Sequence, residues 1–133
     1  MDNGKVKMEN VAAQKQNPVK EKSFAFALRI VKLAKYLQDT KREFVLSKQV
    51  LRSGTAIGAL IREAEHAQSK PDFINKMSIA LKEANETGYW VELLHQSDYL
   101  AQDQYESIHP DAQELIKLLV AIVKTSKSAS NAR

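Results

Sequence analysis

The chain has 133 residues with 44% hydrophobic and 27% charged residues, enough for one domain with a sizeable core. It has no cysteine, which excludes disulfides and thiolate metal sites, and its net charge of +4 is too small for a strongly cationic nucleic-acid binder. Four glycines and three prolines favour long helices over a many-turned sheet. The sequence shows no apolar run of about 18 residues, so it predicts no membrane span, and it shows no signal-peptide pattern. The expectation is a cytoplasmic protein with no membrane contact and no cofactor.

Residues 1–19 (MDNGKVKMENVAAQKQNPV) are polar and weakly periodic and read as a flexible N-terminal arm ending near Pro18. Residues 20–126 carry the helical patterning, and residues 127–133 read as a frayed tail. The first helix is expected from about Lys20 to Asp39. Phe26, Ile30, Leu33 and Leu37 recur at helical spacing, and Phe24, Leu28 and Val31 form a second apolar strip. That face is wider than one bundle core requires. After the charged TKRE turn, a second helix runs to about Ser69, with Ser47 near its cap. Its stripe is Val50, Gly54, Ile57, Ile61, Ala64 and Gln68. The third helix starts near Pro71 with Ser69 as cap and ends near Tyr99. Its stripe is Phe73, Met77, Ala80, Ala84, Thr87, Val91 and Leu94. The fourth covers about Asp103 to Ser126, and Pro110 must either bend it or mark its start. Short links between four such segments predict an all-α, antiparallel up-down four-helix bundle.

Charge is unevenly spread. Residues 20–48 hold eight basic side chains against three acids, a local +5, whereas residues 71–100 hold two against five, a local −3. The basic region names candidate phosphate contacts: Arg29, Lys32, Lys35, Lys41, Arg42 and Lys48. Aromatic stacking is not expected to contribute, Tyr36 being the aromatic considered among these cations.

Two glycines in VLRSGTAIGALIREAEHA (50–67) raise the question of a phosphate loop. No lysine follows Gly58 at Walker spacing and no strand precedes Gly54, so the pattern fails. Glycine inside a helix costs about 1 kcal/mol against alanine, which suggests close packing in return. The expectation is that Gly54 and Gly58 meet a small strip on the third helix, Ala80, Ala84 and Gly88.

Glu63/His66 and Glu92/His95 repeat the Glu-x-x-His spacing of di-iron bundles. The first pair lies opposite its helix's core stripe, and inward carboxylates are missing elsewhere, so no metal site is expected. The scattered histidines support no catalytic triad, and no enzymatic activity is expected. Tyr89, Trp90 and Leu93 of the third helix, with Ala56 and Leu60 of the second, lie off the core stripes. They form a candidate oligomer interface.

LRSGTAIGALIREAEHAQS (51–69) followed by DFINKMSIALKEANETGYWVELL (72–94) resembles the four-helix bundle family of proteins encoded in 23S rRNA intervening sequences. The resemblance spans about residues 23–124. The same family includes the accessory variability determinant of diversity-generating retroelements. The resemblance implies a homo-oligomer, a pentamer, with contact to nucleic acid and to a protein partner such as a reverse transcriptase, and no catalysis. Ala56 and Leu60 stand where the family often has Ser and Asn, and Gly88 where a polar residue is common. The leading expectation is an oligomeric helical scaffold contacting nucleic acid, namely RNA, through the first helix. The alternative is a protein–protein adaptor with no nucleic-acid role.

Overall fold

The computed structural model describes the backbone of residues 3–131 and the side chains of residues 18–129. Four helices make up the described chain: α1 (Asn3–Asp39), α2 (Leu46–Glu65), α3 (Lys70–Gln96) and α4 (Gln102–Asn131). Each helix packs on its neighbour in sequence, and a sparser α1–α4 seam closes the ring, as expected of an up-down four-helix bundle. No described helix is long and apolar enough to cross a membrane.

The apolar stripes meet at the bundle axis. Phe26, Ile30 and Leu37 of α1, Val50, Ile57 and Ile61 of α2, Met77, Ala80, Ala84, Val91 and Leu94 of α3, and Ile108, Leu115 and Leu119 of α4 are buried. Each large aliphatic side chain removed from water contributes about 1.5–3 kcal/mol, so this shared core is what holds four otherwise marginal helices together. Leu33 is only half-buried, and Gln68 is exposed because α2 has already ended.

Helix ends depart from the sequence reading in several places. α1 is helical from Asn3 through Pro18, upstream of the expected Lys20 start. The expected arm, residues 1–19, falls partly outside the described residues, as do residues 132–133 of the expected tail, where α4 runs to Asn131. α2 ends at Glu65, so residues 66–69 form the link to α3. Ser69 caps α3 as expected: its hydroxyl accepts from Asp72 N–H at 3.2 Å, and Asp72 Oδ2 accepts from Gln68 N–H at 3.3 Å. Ser47 does not cap α2. It is buried in the first turn, and its N–H is taken by Glu43 Oε1 at 2.8 Å. α4 begins at Gln102 and carries Pro110 inside it, so Pro110 is not its start.

The α2 glycines face α1, not α3. A Cβ on Gly54 would stand 2.8 Å from Cγ1 and Cγ2 of Ile30, and one on Gly58 would stand 3.5 Å from the carbonyl oxygen of Ser23. Gly88 meets nothing within 4 Å. The expected pairing of Gly54 and Gly58 with Ala80, Ala84 and Gly88 is therefore corrected. The physical reason is that α2 has two neighbours, and helical spacing alone does not say which one a flanking residue meets. The α2–α3 contact is instead polar at its centre: buried Ser53 and Thr87 share a 2.9 Å hydrogen bond, and Thr87 also donates to the Glu83 carbonyl at 2.8 Å.

Candidate functional site: the basic end of α1

The eight cations of residues 20–48 divide into two groups. Three hold α1 to its neighbours. Lys20 Nζ lies 3.1 Å from Glu65 of α2, Lys22 pairs with Glu114 of α4, and Arg29 lies 2.5 Å from Asp111 of α4. Arg29 also donates to the carbonyl and the hydroxyl of Ser107, at 2.9 and 2.6 Å. Its guanidinium fork is thus spent on the α1–α4 seam. The Glu114 carboxylate, through hydrogen bond and charge, raises the Lys22 ammonium above its ordinary range. The other five cations, Lys32, Lys35, Lys41, Arg42 and Lys48, have no ion-pair partner among the described residues. All five are exposed, on the last turns of α1, the α1–α2 turn and the first turn of α2.

The turn is tightly built. Thr40 and Lys41 N–H groups return to the Tyr36 carbonyl, and Glu43 N–H returns to the Leu37 carbonyl at 2.9 Å. Arg42 makes this reversal with φ of 57°, the left-handed conformation that usually ends a helix. The Glu43 carboxylate, buried, then accepts from the N–H groups of Val45 (3.3 Å) and Ser47 (2.8 Å), occupying donors that α2 leaves open at its start. The outcome is a fixed turn that holds Phe44 and Val45 in solvent, 46% and 69% exposed. The Arg42 guanidinium lies 5.4 Å from the Phe44 ring centroid. Sequence reading missed Phe44 because it sits outside any helical period. The available signal was the acid four residues ahead of Ser47.

Beside this end, the sparse α1–α4 seam opens a groove of about 460 Å³. Lys32 and Tyr36 line it from α1, and Asp103, Gln104 and Ser107 from α4. Of the six expected contacts, Arg29 is paired across the seam and lines the groove together with Lys32, and Lys35, Lys41, Arg42 and Lys48 are exposed toward and around the turn.

Of the expected interface residues, Tyr89 is exposed, whereas Trp90, Leu93, Ala56 and Leu60 are half-buried. Trp90 packs edge-on to Tyr89 at 5.0 Å, and its indole N–H donates to Glu86 Oε2 at 3.1 Å. Arg52 of α2 reaches across to Glu83 at 2.7 Å and to Glu86. The Trp90 hydrogen bond, with help from Arg52, holds the Glu86 carboxyl below its ordinary range. Arg52 is in turn raised, chiefly by its hydrogen bond to Glu83. The second strip of α1 is the larger apolar exposure. Phe24, Leu28 and Val31 remain 49%, 51% and 37% exposed, with Arg62 of α2 over the Phe24 ring at 4.9 Å.

No cluster of three or more metal-ligating side chains occurs among the described residues. Glu63 and His66 are exposed, and His95 stacks on Tyr105 at 4.3 Å, with His109 on the ring's other neighbour contact at 4.7 Å.

A family model described as 23S rRNA-intervening sequence protein matches residues 15–121. Among solved structures, a protein of unknown function from the S23 ribosomal protein family of Bacteroides thetaiotaomicron VPI-5482 is 62% identical. The match has a TM-score of 0.81 and covers 83% of this chain and 98% of that one. No curated protein matches.

Proposed function

The chain belongs to the 23S rRNA-intervening sequence protein family, and from that premise we propose that it is a non-enzymatic, self-associating helical scaffold that contacts RNA. One observation carries the reading: of eight cations in residues 20–48, the three nearer the start of α1 are paired within the fold, and the five around its end are not. Unpaired exposed cations are available to phosphates without breaking an internal ion pair. Lys32, Lys35, Lys41, Arg42 and Lys48 are the contacts, and Arg29 is a structural residue. Self-association rests on the exposed strip Phe24, Leu28 and Val31 and on Tyr89, which a lone bundle leaves in water. The fivefold assembly that the sequence resemblance implies belongs to this proposal.

Binding by point charges responds steeply to salt and weakly to sequence. Five contacts to a single strand give a slope of at most about −3.5 in log Kobs against log salt. Titration of structured RNA, single strands and duplex DNA at increasing salt tests this. Measurable binding that weakens with that dependence, and that is reduced in a Lys35→Ala/Lys41→Ala/Lys48→Ala protein, supports the reading. Absence of binding to any of them at low salt overturns it in favour of a protein–protein adaptor.

A further inference from the structure

We infer that Phe44 is a stacking platform for an unpaired base, which makes the preferred ligand of the basic end a single-stranded or looped RNA segment and not a duplex. The inference rests on the RNA-contact reading above and adds its substrate class. A phenylalanine with 46% of its surface in water is not placed there by the core. It is held there by a turn whose backbone is tied on both sides, to the Leu37 carbonyl before it and to the Glu43 carboxylate after it. The backbone that carries the ring is therefore pre-organised, which lowers the ordering cost of binding.

The surroundings select the ligand. The Arg42 guanidinium stands 5.4 Å from the Phe44 ring centroid, so a cation that attracts phosphate sits beside an aromatic surface on which a base can stack. Lys41 and Lys48 flank the ring in sequence, Lys35 stands on the last full turn of α1, and none has an ion-pair partner among the described residues. The acid inside the turn, Glu43, faces inward onto backbone N–H groups and is spent there. Asp98 and Asp103 at this end belong to the α3–α4 side, and on the α1–α2 side the exposed Asp39 at the end of α1 is outnumbered by Lys35, Lys41, Arg42 and Lys48, which leaves a net positive surface for the phosphates. A base must leave its own stack to meet Phe44. In an A-form duplex it does not, whereas in a single strand or loop it does. A phosphate-only surface would need no exposed aromatic.

The test is fluorescence anisotropy with a short labelled RNA, used as a single strand and annealed to its complement. Wild type, Phe44→Ala and Phe44→Trp are compared after circular dichroism has shown equal helicity and melting. The expected result is tighter binding of the single strand than of the duplex. Phe44→Ala should lower single-strand affinity by about tenfold, the worth of one stacked base. Phe44→Trp should restore it, and both variants should keep the wild-type salt slope and duplex affinity. Equal effects on strand and duplex, or none on either, overturn the stacking role while leaving RNA contact standing. No RNA binding by wild type overturns both. Binding to anionic phospholipid vesicles that is lost in Phe44→Ala, with RNA affinity unchanged, assigns the residue to a membrane surface and also overturns the inference.

Discussion

Gly54 of α2 lies directly against Ile30 of α1, close enough that a single added methyl group would stand 2.8 Å from both γ-carbons of the isoleucine. Ile30 is fully buried and β-branched, so it has no flexible far end to swing away. Gly54→Ala is expected to destabilise the fold by about 1–3 kcal/mol despite alanine's better helix propensity. Gly58→Ala meets only ordinary contact with Ser23, and Gly88→Ala meets open space. Each should gain up to about 1 kcal/mol from propensity alone. Urea unfolding of the three variants reads the difference, and equal behaviour of Gly54 and Gly88 would remove the close approach from the account.

The α2 N-terminus depends on an acid that lies outside the helix. Glu43 accepts from Ser47 N–H at 2.8 Å and from Val45 N–H at 3.3 Å, and no side chain at Val45 can do this work. Glu43→Ala should cost about 1–2 kcal/mol, the range of a lost cap. Glu43→Gln, which keeps one carbonyl oxygen, should recover part of that. Hydrogen exchange at the Ser47 amide localises the effect: faster exchange confined to the first turn of α2 is the expected pattern.

Much of this arrangement was readable from residue spacing, and some could not be. Helical period identifies the residues that face an axis, which is why Val50, Ile57, Ile61, Met77, Ala84 and Leu115 are buried as expected. Period does not assign a flank to a neighbour, and so the Gly54 and Gly58 contacts fell to the wrong helix. Ion pairs such as Arg29–Asp111 join residues 82 positions apart, and only the folded ring brings them together. The TKRE turn read as charge alone, although Glu43 is a buried cap and Arg42 a left-handed reversal. Helical period and short links carried the fold, which the family resemblance supported, and the partition of the cations required coordinates.

Glu86 predicts a pH dependence of stability. Its carboxyl is held below the ordinary value by the Trp90 N–H first, and by Arg52. A depressed folded pKa means the stabilisation is fully present above the unfolded value and is lost as pH falls through the folded one. The group is partly exposed, so its contribution stays below about 1 kcal/mol. Glu86→Gln should therefore be less stable than wild type at neutral pH, and the gap should close in acid, as pH falls from the ordinary carboxylate value through the lower folded one. Chemical denaturation at the two pH values checks this. A gap that persists in acid would assign the loss to packing.

Arg29 separates structure from binding. Its pair with Asp111 is about two-fifths exposed, so surface screening limits it to about 0–1 kcal/mol, with the Ser107 hydrogen bonds in addition. A double-mutant cycle over Arg29→Ala and Asp111→Ala should show positive coupling in thermal unfolding. The RNA salt slope of Arg29→Ala should match wild type, whereas Lys35→Ala should reduce it by about 0.7. A slope change in Arg29→Ala would return this residue to the contact set.

The strip Phe24, Leu28 and Val31 tests self-association. These residues follow the four-three spacing of a helix face and stay between 37% and 51% exposed, so a charge placed among them does not enter the core. Leu28→Glu should keep wild-type melting in dilute solution, because Leu28 is half in water already. In an assembly that covers the strip, the same charge would be buried without a partner and would break the contact. Light scattering should then show wild type as a multiple of 15.0 kDa and Leu28→Glu at 15.0 kDa. Tyr89→Ala, on the far helix, examines the second surface in the same way. If Leu28→Glu remained assembled while Tyr89→Ala fell to the monomer, the contact would lie on α3 and the α1 strip would need another occupant. A wild-type protein that is monomeric at micromolar concentration would end the self-association proposal, and it would leave the RNA contacts at the α1–α2 turn to act as a single bundle.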